Sequence, residues 1–437
     1  MQGKEKFKSL QYINCIFAIQ YILYLIMEKK IYSLKDFELS YEKNAIERAE
    51  DFQMYINQLN DFGCKSYWIA SHTGIGATMN IEGYDKPIVS FIANDYLGMS
   101  QREETIQSGI EALKKYGTGA CAAQVIGGYL DIHKQLEEEI ADFVGQEDAL
   151  LFSSGFGANA GVLRALLGKN DIALTDPFIH TSTLAGLHET NIKRIGHNDL
   201  EYLEKTLKEV RDKYQTKLVI IDGVYSQDGD LSMLPEIIAL CKTYDAMLMV
   251  DDAHGIGVMG ENGKGTVEHF NCLEQVDIIT GTFSKSFGGV GGFVAASKKL
   301  IQYLRFYADS NVFSAALTPQ VTASVLKALE LIKTKPEIRQ KLWNNTNYLR
   351  KELTKRGFDI GKSVSPIFPI MVRDNKKVYQ IAKMLQERGI FTIAIVYPAV
   401  RTKEARLRVS VLSTHEKEHL DSLVNALEEI NKIIPIK

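Results

Sequence analysis

Short apolar runs alternate with amphipathic segments along the middle of the chain, and this alternation predicts the core of the fold. The runs are bounded by Gly, Ser or Asp and are rich in Val, Ile and Leu, which is typical of buried strands. They lie at residues 149–152, 172–175, 218–222, 247–250, 276–279 and 293–294. Segments with helical spacing lie between them at residues 160–167, 200–214 and 234–244. Strands that alternate with helices usually form parallel sheets, so we predict an α/β fold with a mostly parallel sheet.

The segments on either side of this core predict an N-terminal arm and a smaller C-terminal α/β domain. Helical spacing recurs at residues 33–59, 102–116, 134–144, 322–333 and 336–356, and strand patterns recur at 88–92, 365–370 and 405–411. A chain of 437 residues is long enough for two domains. The predicted divisions are a hydrophobic N-terminal extension (1–32), an arm (33–87), a large domain (88–320) and a small C-terminal domain (321–437).

An apolar stretch at residues 10–27 admits more than one interpretation. A spanning helix needs about 20 strongly apolar residues, whereas this stretch is short and contains Gln11, Asn14 and Gln20. No small-residue cleavage site of a signal peptide follows it. It can lie at a membrane surface, but we favour a translation start at Met27. We therefore expect a cytoplasmic protein whose contact with the inner membrane is at most peripheral.

Charge and cysteine content exclude several classes of function. The net charge of −3 gives no indication of nucleic acid as a partner. The chain has five cysteines and no CxxC pair, which argues against a disulfide framework and against a metal site. This pattern favours a reducing compartment, in which the cysteines are expected to be small buried hydrophobic residues.

The stretch VDIITGTFSKSFGGVGGFV, residues 276–294, contains a lysine between two apolar runs. Lys285 is flanked by the hydroxyl groups of Thr282 and Ser284 and by a cluster of glycines. Burial would lower the pKa of its amine, and a neutral amine can attack a carbonyl carbon to form a Schiff base. Glycines also allow the backbone to approach a bulky ligand closely. The alternative is a solvated lysine in a surface turn, and other segments decide between the two.

Polar residues follow the predicted strands at the ends where parallel sheets bind ligands. The turn SSGFGAN joins a strand to a helix N-terminus, which predicts a phosphate cradle at Gly155 and Phe156. Asp251 follows a fully apolar strand, so its charge needs a cation such as a protonated pyridine nitrogen. Other turns contribute His180, Ser226 and His254. Each residue alone is more often structural, but together with Lys285 they predict a pyridoxal phosphate (PLP) site.

Four motifs of the chain resemble those of the α-oxoamine synthases, which belong to the fold-type I superfamily of PLP-dependent enzymes. They are SSGFGAN (153–159), DGVYSQDGD (222–230), VDDAHGIGVMG (250–260) and GTFSKSFGG (281–289). The resemblance extends from about residue 88 to the C-terminus. It implies three catalytic residues: Lys285 holds the cofactor as a Schiff base, Asp251 pairs with the ring nitrogen, and His180 stacks on the ring.

The resemblance also implies the remaining contacts with the cofactor. These are Gly155, Phe156 and Thr282 for the phosphate, and Ser226 and His254 for the phenolic oxygen. Ser314, in the segment NVFSAALTP, would reach the phosphate of the neighbouring subunit's cofactor. We therefore expect a homodimer with shared active sites.

Two arginines on one predicted strand are candidates for binding the substrate. Arg406 and Arg408 alternate with apolar residues, so both side chains lie on one face of the strand. The alternative is an exposed edge strand with charges that prevent aggregation. The resemblance implies that Arg408 binds the carboxylate of the amino acid through its planar fork, whereas Arg406 is expected to be solvent-facing or structural. Asn94 and Ala123 are the other expected substrate contacts.

The resemblance implies that a small amino acid condenses with an acyl-CoA, usually with loss of carbon dioxide, to give an aminoketone and CoA without a metal. The C-terminal half most resembles bacterial serine palmitoyltransferases, so a long-chain, sphingolipid-type synthase is the leading expectation. Asn94-Asp95-Tyr96 instead resembles 8-amino-7-oxononanoate synthase, and Val396-Tyr397-Pro398 resembles glycine C-acetyltransferase. Ala123-Gln124 replaces the Ser or Thr followed by Arg of many relatives.

Two other classes of protein are more remote alternatives. A transaminase would use a similar site to exchange an amino group with a keto acid. A non-catalytic partner subunit of the same fold would be expected to lack Lys285, which is present.

Overall fold

The computed structural model of the protein describes residues 32, 34–37, 42–63, 67–401 and 403–436. The predicted hydrophobic extension lies outside the described residues apart from Tyr32, so its interpretations and the expected location stay predictions. In the described parts of the chain, no helix is both long enough and apolar enough to cross a membrane.

Strands and helices alternate through the middle of the chain as the sequence predicts. The strands are β1 (Thr78–Met79), β2 (Ile88–Ser90), β3 (Asp148–Phe152), β4 (Ile172–Thr175), β5 (Asn191–Arg194), β6 (Lys217–Asp222), β7 (Met247–Asp251), β8 (Ile278–Thr282), β9 (Gly292–Ala296), β10 (Ile367–Met371), β11 (Ile390–Phe391), β12 (Ile393–Ile395) and β13 (Arg406–Ser410). Strand β5 was not predicted because three of its four side chains are polar and none is buried.

Helices cover both faces of the main sheet and surround the C-terminal strands. They are α1 (Ala45–Phe62), α2 (Glu103–Tyr116), α3 (Asp131–Val144), α4 (Gly155–Leu166), α5 (Thr181–Gly186), α6 (Leu200–Val210), α7 (Leu234–Thr243), α8 (Thr266–His269), α9 (Lys298–Tyr307), α10 (Asp309–Val312), α11 (Pro319–Thr334), α12 (Pro336–Lys355), α13 (Asn375–Gln386) and α14 (Lys417–Ile433). Short 3₁₀ turns lie at Leu34–Phe37, Met99–Gln101 and Gln124–Ile126.

Within the described residues, seven strands form the main sheet in the order β3-β9-β8-β7-β6-β4-β5. Strand β9 is antiparallel to both of its neighbours, and the other six strands share one direction. The prediction of a mostly parallel sheet is therefore confirmed. Strands β8, β7, β6 and β4 are adjacent and parallel, so their carboxyl ends meet along one edge of the sheet.

Alternate residues of the main sheet pack into two layers of apolar side chains. On one face, Leu150 and Ile220 pack with side chains of α4 and α9. On the other face, Leu151 and Ile221 belong to a larger cluster that continues into the C-terminal part of the chain. Because both faces are buried, the strands are continuous apolar runs, which is the pattern that allowed their prediction.

The C-terminal part contains an antiparallel sheet in the order β10-β13-β12. Strand β13, which carries Arg406 and Arg408, is central in this sheet, so the alternative of an exposed edge strand is wrong. Pro369 lies in β10 at the edge, where its missing N–H costs no ladder bond. A third sheet, β1-β2-β11, pairs the start of the predicted large domain with the C-terminal part.

The N-terminal arm contains helix α1, which packs on helix α13. Asn44 caps α1 because its Oδ1 atom accepts hydrogen bonds from the backbone N–H groups of Ile46 (2.9 Å) and Glu47 (3.1 Å). At the other end of the helix, Phe62 stacks on Tyr379 of α13 with 5.4 Å between ring centroids. The arm therefore covers the C-terminal part of its own chain.

The cysteines in the described part of the chain are only partly as expected. Cys241 and Cys272 are buried, as predicted, and their thiols are free. Cys121 is exposed, so the prediction of burial is wrong for this residue. It lies in the surface loop of small residues between α2 and α3, with a positive φ of 55°.

Candidate active site

A cavity of about 220 Å³ lies at the carboxyl edge of the main sheet, between strands β8, β7 and β6 and the N-terminus of helix α4. Most of the residues predicted to bind the cofactor line it. They are Gly155, Phe156, His180, Ser226, Asp251, His254, Thr282 and Lys285. The cavity is also lined by residues that the sequence reasoning did not select, among them Asn159, Ser182, Asp222 and Ser284.

Lys285 projects into this cavity from the loop after strand β8. Burial lowers the pKa of its amine to about 8, although Asp251 and Asp222 act in the opposite direction. An ordinary lysine is almost entirely protonated near neutral pH, whereas this amine has a substantial neutral fraction. The structure therefore supplies the property that a Schiff-base lysine requires.

Asp251 ends strand β7 and is buried, with 5% of its surface exposed. Its Oδ2 atom accepts a hydrogen bond from Asn159 Nδ2 (2.6 Å), and its Oδ1 atom accepts one from the backbone N–H of Ala253 (3.1 Å). Both contacts are with neutral groups, which orient the carboxylate but do not compensate its charge. A cationic ring nitrogen would provide that compensation.

Asn159 also connects Asp251 to the loop of His180. The Nδ2 group of Asn159 lies 2.9 Å from Ser182 Oγ, which in turn lies 2.7 Å from His180 Nδ1. Burial lowers the pKa of His180, so its ring is neutral and flat at the side of the cavity. Asn159 is the fifth residue of α4, and only its distance from the strand ends in the folded chain identifies it as part of the site.

His254 is buried and bonded to a tyrosine from the N-terminal side of the chain. Its Nδ1 atom lies 2.8 Å from the hydroxyl oxygen of Tyr96. Burial lowers the pKa of His254 well below its usual value, and burial raises the pKa of Tyr96 to about 12. Both groups are therefore neutral, and Tyr96 supports His254 from outside the cavity lining, a contact that the sequence did not predict.

The proposed phosphate cradle is a close contact between helix α4 and the β8–β9 hairpin. Ser154 caps the helix, with its Oγ atom accepting a hydrogen bond from the N–H of Gly157 (2.9 Å). A Cβ atom on Gly155 would lie 2.9 Å from Thr282 Cβ, and one on Gly292 would lie 2.5 Å from Gly155 Cα. Thr282 donates its hydroxyl hydrogen to the carbonyl oxygen of Gly291 (2.8 Å). The glycines thus bring the helix N-terminus and Thr282 together, as an anion site requires.

Arg408 is buried beside the cavity without an ion pair to any described residue. Its guanidinium donates to the carbonyl oxygen of Ser226 (2.7 Å), to Ser410 Oγ (2.8 Å) and to Asn94 Oδ1 (3.2 Å). All three acceptors are neutral, so the buried positive charge can bind an anion such as a substrate carboxylate. Asn94 therefore lies beside Arg408, as expected of a second substrate contact.

Arg406, two residues away, has a different environment. Its guanidinium forms ion pairs with Asp228 (2.6 Å) and Glu404 (3.3 Å), and 1% of the residue is exposed. The possibility that Arg406 faces solvent is therefore wrong, and its role is structural.

Asp222 ends strand β6 directly beside Asp251 of β7 and was missed by the sequence reasoning. Burial raises its pKa well above the usual value, and the nearby charge of Asp251 acts in the same direction. Its Oδ1 atom is buried without a hydrogen-bond partner among the described residues. The signal that could have identified Asp222 is its position, because it follows an apolar strand just as Asp251 does.

Besides Asn94 and Arg408, two predicted residues lie outside the cavity lining of this chain. Ala123 is buried at the start of the 3₁₀ turn Gln124–Ile126. Ser314 lies at the surface with its Oγ atom 3.4 Å from Ser153 Oγ, and Ser153 directly precedes the helix cap. The roles of both residues stay predictions, and that of Ser314 depends on a second subunit.

The arrangement fits PLP. Lys285 can hold an aldehyde carbon, Asp251 a ring nitrogen, and the Gly155 region a phosphate, and the cavity between them contains mostly neutral hydrogen-bonding groups. The buried Oδ1 atoms of Asn159 and Asp222 have no partners among the described residues, which is typical of side chains that line a ligand site.

Comparisons with known proteins agree with this geometry. The chain matches the family "Aminotransferase class I and II" over residues 86–427. It is 40% identical over 388 residues to a serine palmitoyltransferase of Sphingobacterium spiritivorum, covering 88% of this chain and 96% of that protein. It is also 40% identical over 386 residues to an 8-amino-7-oxononanoate synthase of Petrotoga mobilis, covering 88% of this chain and 98% of that protein.

A solved structure of a serine palmitoyltransferase with a PLP internal aldimine has the same fold. It superposes with a TM-score of 0.86 at 29% identity, over 90% of this chain and 100% of the other. The predicted fold-type I architecture and PLP dependence are thereby confirmed. The chain belongs to the aminotransferase class I and II family and, within it, to the α-oxoamine synthases, which are PLP-dependent acyltransferases.

Proposed function

We propose that the protein joins serine to a long-chain acyl-CoA, with palmitoyl-CoA as the reference substrate, in sphingolipid-type synthesis. The observation that carries the proposal is Arg408, a buried cation with only neutral partners beside the cavity that contains Lys285. Such a cation selects a substrate that carries a free carboxylate next to the reacting carbon. Likeness to serine palmitoyltransferase in both sequence and fold supports the choice of substrates.

Binding and orientation of the amino acid would depend on two residues. Arg408 would form charge-assisted hydrogen bonds with the carboxylate, and the amide of Asn94 lies beside its guanidinium. Because Arg408 is already held by the carbonyl oxygen of Ser226, its guanidinium is fixed before the substrate arrives. A fixed donor lowers the entropic cost of orienting Cα towards the amine of Lys285.

Proton transfer would depend on Lys285 and Asp251. When bound, PLP supplies an electron-withdrawing ring that stabilises negative charge at Cα of the amino acid. Asp251, oriented by Asn159 and the backbone of Ala253, would keep the ring nitrogen protonated. The amine of Lys285, with a pKa of about 8, is suited to accept the Cα proton.

A bond forms between Cα and the carbonyl carbon of the thioester while the carbon–sulfur bond breaks, and CoA leaves as its thiol. The carboxyl group leaves as carbon dioxide, and Cα takes up a proton. The product is a long-chain aminoketone.

The 8-amino-7-oxononanoate synthase reaction, alanine with pimeloyl-CoA, is the second candidate because an enzyme of that name has the same 40% identity. Glycine with acetyl-CoA is a third, motivated by Val396-Tyr397-Pro398. A transaminase is the more remote alternative.

We also propose that the active protein is a homodimer. Three large apolar side chains are strongly exposed: Ile126 (77% exposed), Phe306 (70%) and Phe313 (88%). Phe313 directly precedes Ser314, the residue expected to reach the partner's cofactor. A second copy of the chain would cover this surface and bring Ser314 to its neighbour's site.

The test is a matrix of amino acids and thioesters, read by release of free CoA thiol. Serine, alanine and glycine are each combined with palmitoyl-CoA, pimeloyl-CoA and acetyl-CoA, and the aminoketone is identified by mass spectrometry. We expect serine with palmitoyl-CoA to give the highest kcat/KM. A maximum for alanine with pimeloyl-CoA, or for glycine with acetyl-CoA, would replace the proposal by the corresponding alternative. Amino-group transfer to a keto acid without thiol release would indicate a transaminase.

A further inference from the structure

His197 lies outside the cavity but bridges two of the loops that line it. Its ring follows strand β5 and lies between two buried carboxylates. Nδ1 is 2.9 Å from Asp176 Oδ2, and Nε2 is 2.9 Å from Asp230 Oδ2. Ionised carboxylates accept hydrogen bonds and cannot donate them, so both ring nitrogens must carry a proton. The bridge therefore requires the imidazolium cation.

The two aspartates belong to loops that also carry residues of the cavity. Asp176 precedes His180 by four residues, and Asp230 follows Ser226 by four residues. Asp176 is fixed to its own loop because its Oδ1 atom accepts a hydrogen bond from the N–H of Phe178 (2.8 Å). Asp230 is fixed in its loop because its carbonyl oxygen accepts a hydrogen bond from the N–H of Tyr225 (3.0 Å). A displacement of either carboxylate would thus displace the loop that carries it.

We propose that His197 is a positioning residue that holds the loops of His180 and Ser226 in the arrangement that PLP requires. The residue does not line the cavity, so it acts through Asp176 and Asp230. The carbonyl oxygen of Ser226 also accepts a hydrogen bond from Arg408 (2.7 Å). By holding the loop of Ser226, the bridge would therefore also help to fix the orientation of the Arg408 guanidinium.

Aromatic rings and further charges surround the bridge. Phe178 lies at 4.8 Å and Tyr225 at 4.5 Å from the imidazole, measured between ring centroids. The titratable or charged groups around it are Asp176, Asp230 and Tyr225 and, beyond these, Asp222 near Tyr225 and Arg401 over the ring of Phe178. Burial alone would lower the pKa of His197, but hydrogen bonds to the two aspartates raise it to about 9. The bridge is therefore complete below the usual histidine pKa and is lost as the pH rises through about 9.

The loop of Ser226 has a second attachment on its opposite side. Arg406 of strand β13 pairs with Asp228 at 2.6 Å and is itself buried. Loss of the His197 bridge should therefore shift this loop without unfolding it.

The experiment measures PLP binding, which does not depend on the identity of the acyl or amino-acid substrate. His197→Gln retains a side chain of similar reach, but it can donate to only one aspartate and turns an amide oxygen towards the other. We expect the affinity for PLP to fall about 10-fold, with a changed circular dichroism of the bound cofactor. The matched control is His188→Gln, at an exposed histidine, which should change neither.

A second substitution separates positioning from simple loss of a side chain. In His197→Gln/Asp230→Asn, the new amide N–H can donate to the glutamine oxygen, so PLP should bind more tightly than in His197→Gln alone. The affinity difference between wild type and His197→Gln should also shrink as the pH rises through about 9. A folded His197→Gln protein with unchanged affinity and unchanged cofactor spectrum would overturn the proposal.

If His197→Gln does not fold, Asp230→Asn alone decides the question. This variant keeps the hydrogen bond between His197 and Asp176 but removes the charge of Asp230, which helps to raise the pKa of His197. His197 should then lose its proton at a lower pH, so the fall in PLP affinity should begin at a lower pH than in the wild type. An unchanged pH profile in folded Asp230→Asn would be incompatible with the proposed bridge. Because the experiment measures PLP binding and not turnover, a negative result for the His197 bridge is distinguishable from a wrong choice of substrates in the proposed function.

Discussion

Two arginines on one strand show how the partners of a residue decide its role. Arg406 and Arg408 lie on the same face of β13, and both are buried. Arg406 is neutralised by Asp228 and Glu404, whereas Arg408 is held by Ser226, Ser410 and Asn94 without neutralisation. At the scale of single residues, the absence of a charged partner among the described residues supports the proposed anion-binding role of Arg408.

Replacing Arg408 should therefore weaken binding of the amino acid much more than binding of the acyl-CoA. Charge-assisted hydrogen bonds contribute about 1.5–3 kcal/mol, so Arg408→Ala should raise the amino-acid Kd by about 10- to 100-fold. The measurement is a spectral titration of the holoenzyme with serine. Arg373→Ala, which removes an exposed partner of Asp359, is the control and should leave the titration unchanged. Equal effects of the two substitutions would contradict the assignment.

The lowered pKa of Lys285 predicts how attachment of PLP depends on pH. Only the neutral amine attacks the aldehyde, so the rate of reconstitution of the apoprotein with PLP should increase as the pH rises through about 8 and then level off. An ordinary lysine would give a rise that continues towards its usual pKa of about 10.4. Stopped-flow absorbance of the bound cofactor measures this rate between pH 6 and pH 10 or so.

The covalent link can be located directly. Borohydride reduction followed by mass spectrometry should find the PLP adduct on Lys285, and Lys285→Ala should give none. Lys298→Ala, at an exposed lysine, is the matched control and should retain the adduct. An adduct that persists in Lys285→Ala would refute the assignment of this lysine.

At the scale of elements, the site depends on how closely helix α4 approaches the β8–β9 hairpin. Gly155 opens the helix and Gly292 opens β9, and their backbones meet where a side chain on Gly292 would not fit. Residues on the next turns of α4, such as Asn159, are thereby brought within 2.6 Å of Asp251. One contact between two elements thus sets the geometry of the proposed phosphate cradle and the position of Asn159 beside the Asp251 carboxylate.

Gly292→Ala should consequently weaken PLP binding while leaving the fold intact. The new Cβ atom would lie 2.5 Å from Gly155 Cα and 2.7 Å from its N atom, and backbone atoms cannot rotate away as a side chain can. We expect the Kd for PLP to rise about 10-fold or more, since a strain of 1.4 kcal/mol already corresponds to a factor of about 10. Gly168→Ala is the control, because its nearest neighbour would lie 3.9 Å away. Fluorescence titration of both apoproteins measures the difference, and equal Kd values would show that the contact is unimportant.

At the scale of the whole molecule, the proposed dimer would account for three strongly exposed apolar side chains. Ile126, Phe306 and Phe313 are among the most exposed large apolar residues described. Large exposed apolar side chains often mark interfaces, and Phe313 directly precedes Ser314, the residue expected to reach the neighbouring subunit's site. The dimer would therefore both cover these side chains and complete the site.

Phe313→Glu should shift the protein from dimer to monomer and lower kcat, because a charge at a buried interface is costly. Light scattering coupled to gel filtration measures the mass, and the activity of the monomer peak is assayed separately. Tyr202→Glu, at a partly exposed aromatic residue on α6, is the control and should remain dimeric. A wild-type monomer with full activity would refute the proposed assembly.

The sequence by itself determined the class of fold and predicted most of the residues that line the candidate cofactor cavity. Strands buried on both faces must be continuous apolar runs, and parallel strands bring the residues that follow them to one edge. Lys285, Asp251, His180 and His254 could therefore be selected before any contact was known. Asp222 also follows an apolar strand and could have been selected in the same way. Strand β5, at the edge of the sheet, is mostly polar and so lacks the apolar run that predicts a buried strand.

Only the tertiary structure decided which side chains support these groups and which charges are paired. Asn159 contacts Asp251, which is 92 positions away in the chain, and Tyr96 contacts His254, which is 158 positions away. His197 contacts Asp230, 33 positions away. Local sequence patterns could not reveal contacts at such separations. The same holds for the different roles of Arg406 and Arg408, which have the same pattern in sequence. Burial and pairing are properties of contacts between distant segments, and pKa values follow from them. The candidate catalytic residues could thus be selected from the sequence, whereas the burial and pairing that set their properties arise only on folding.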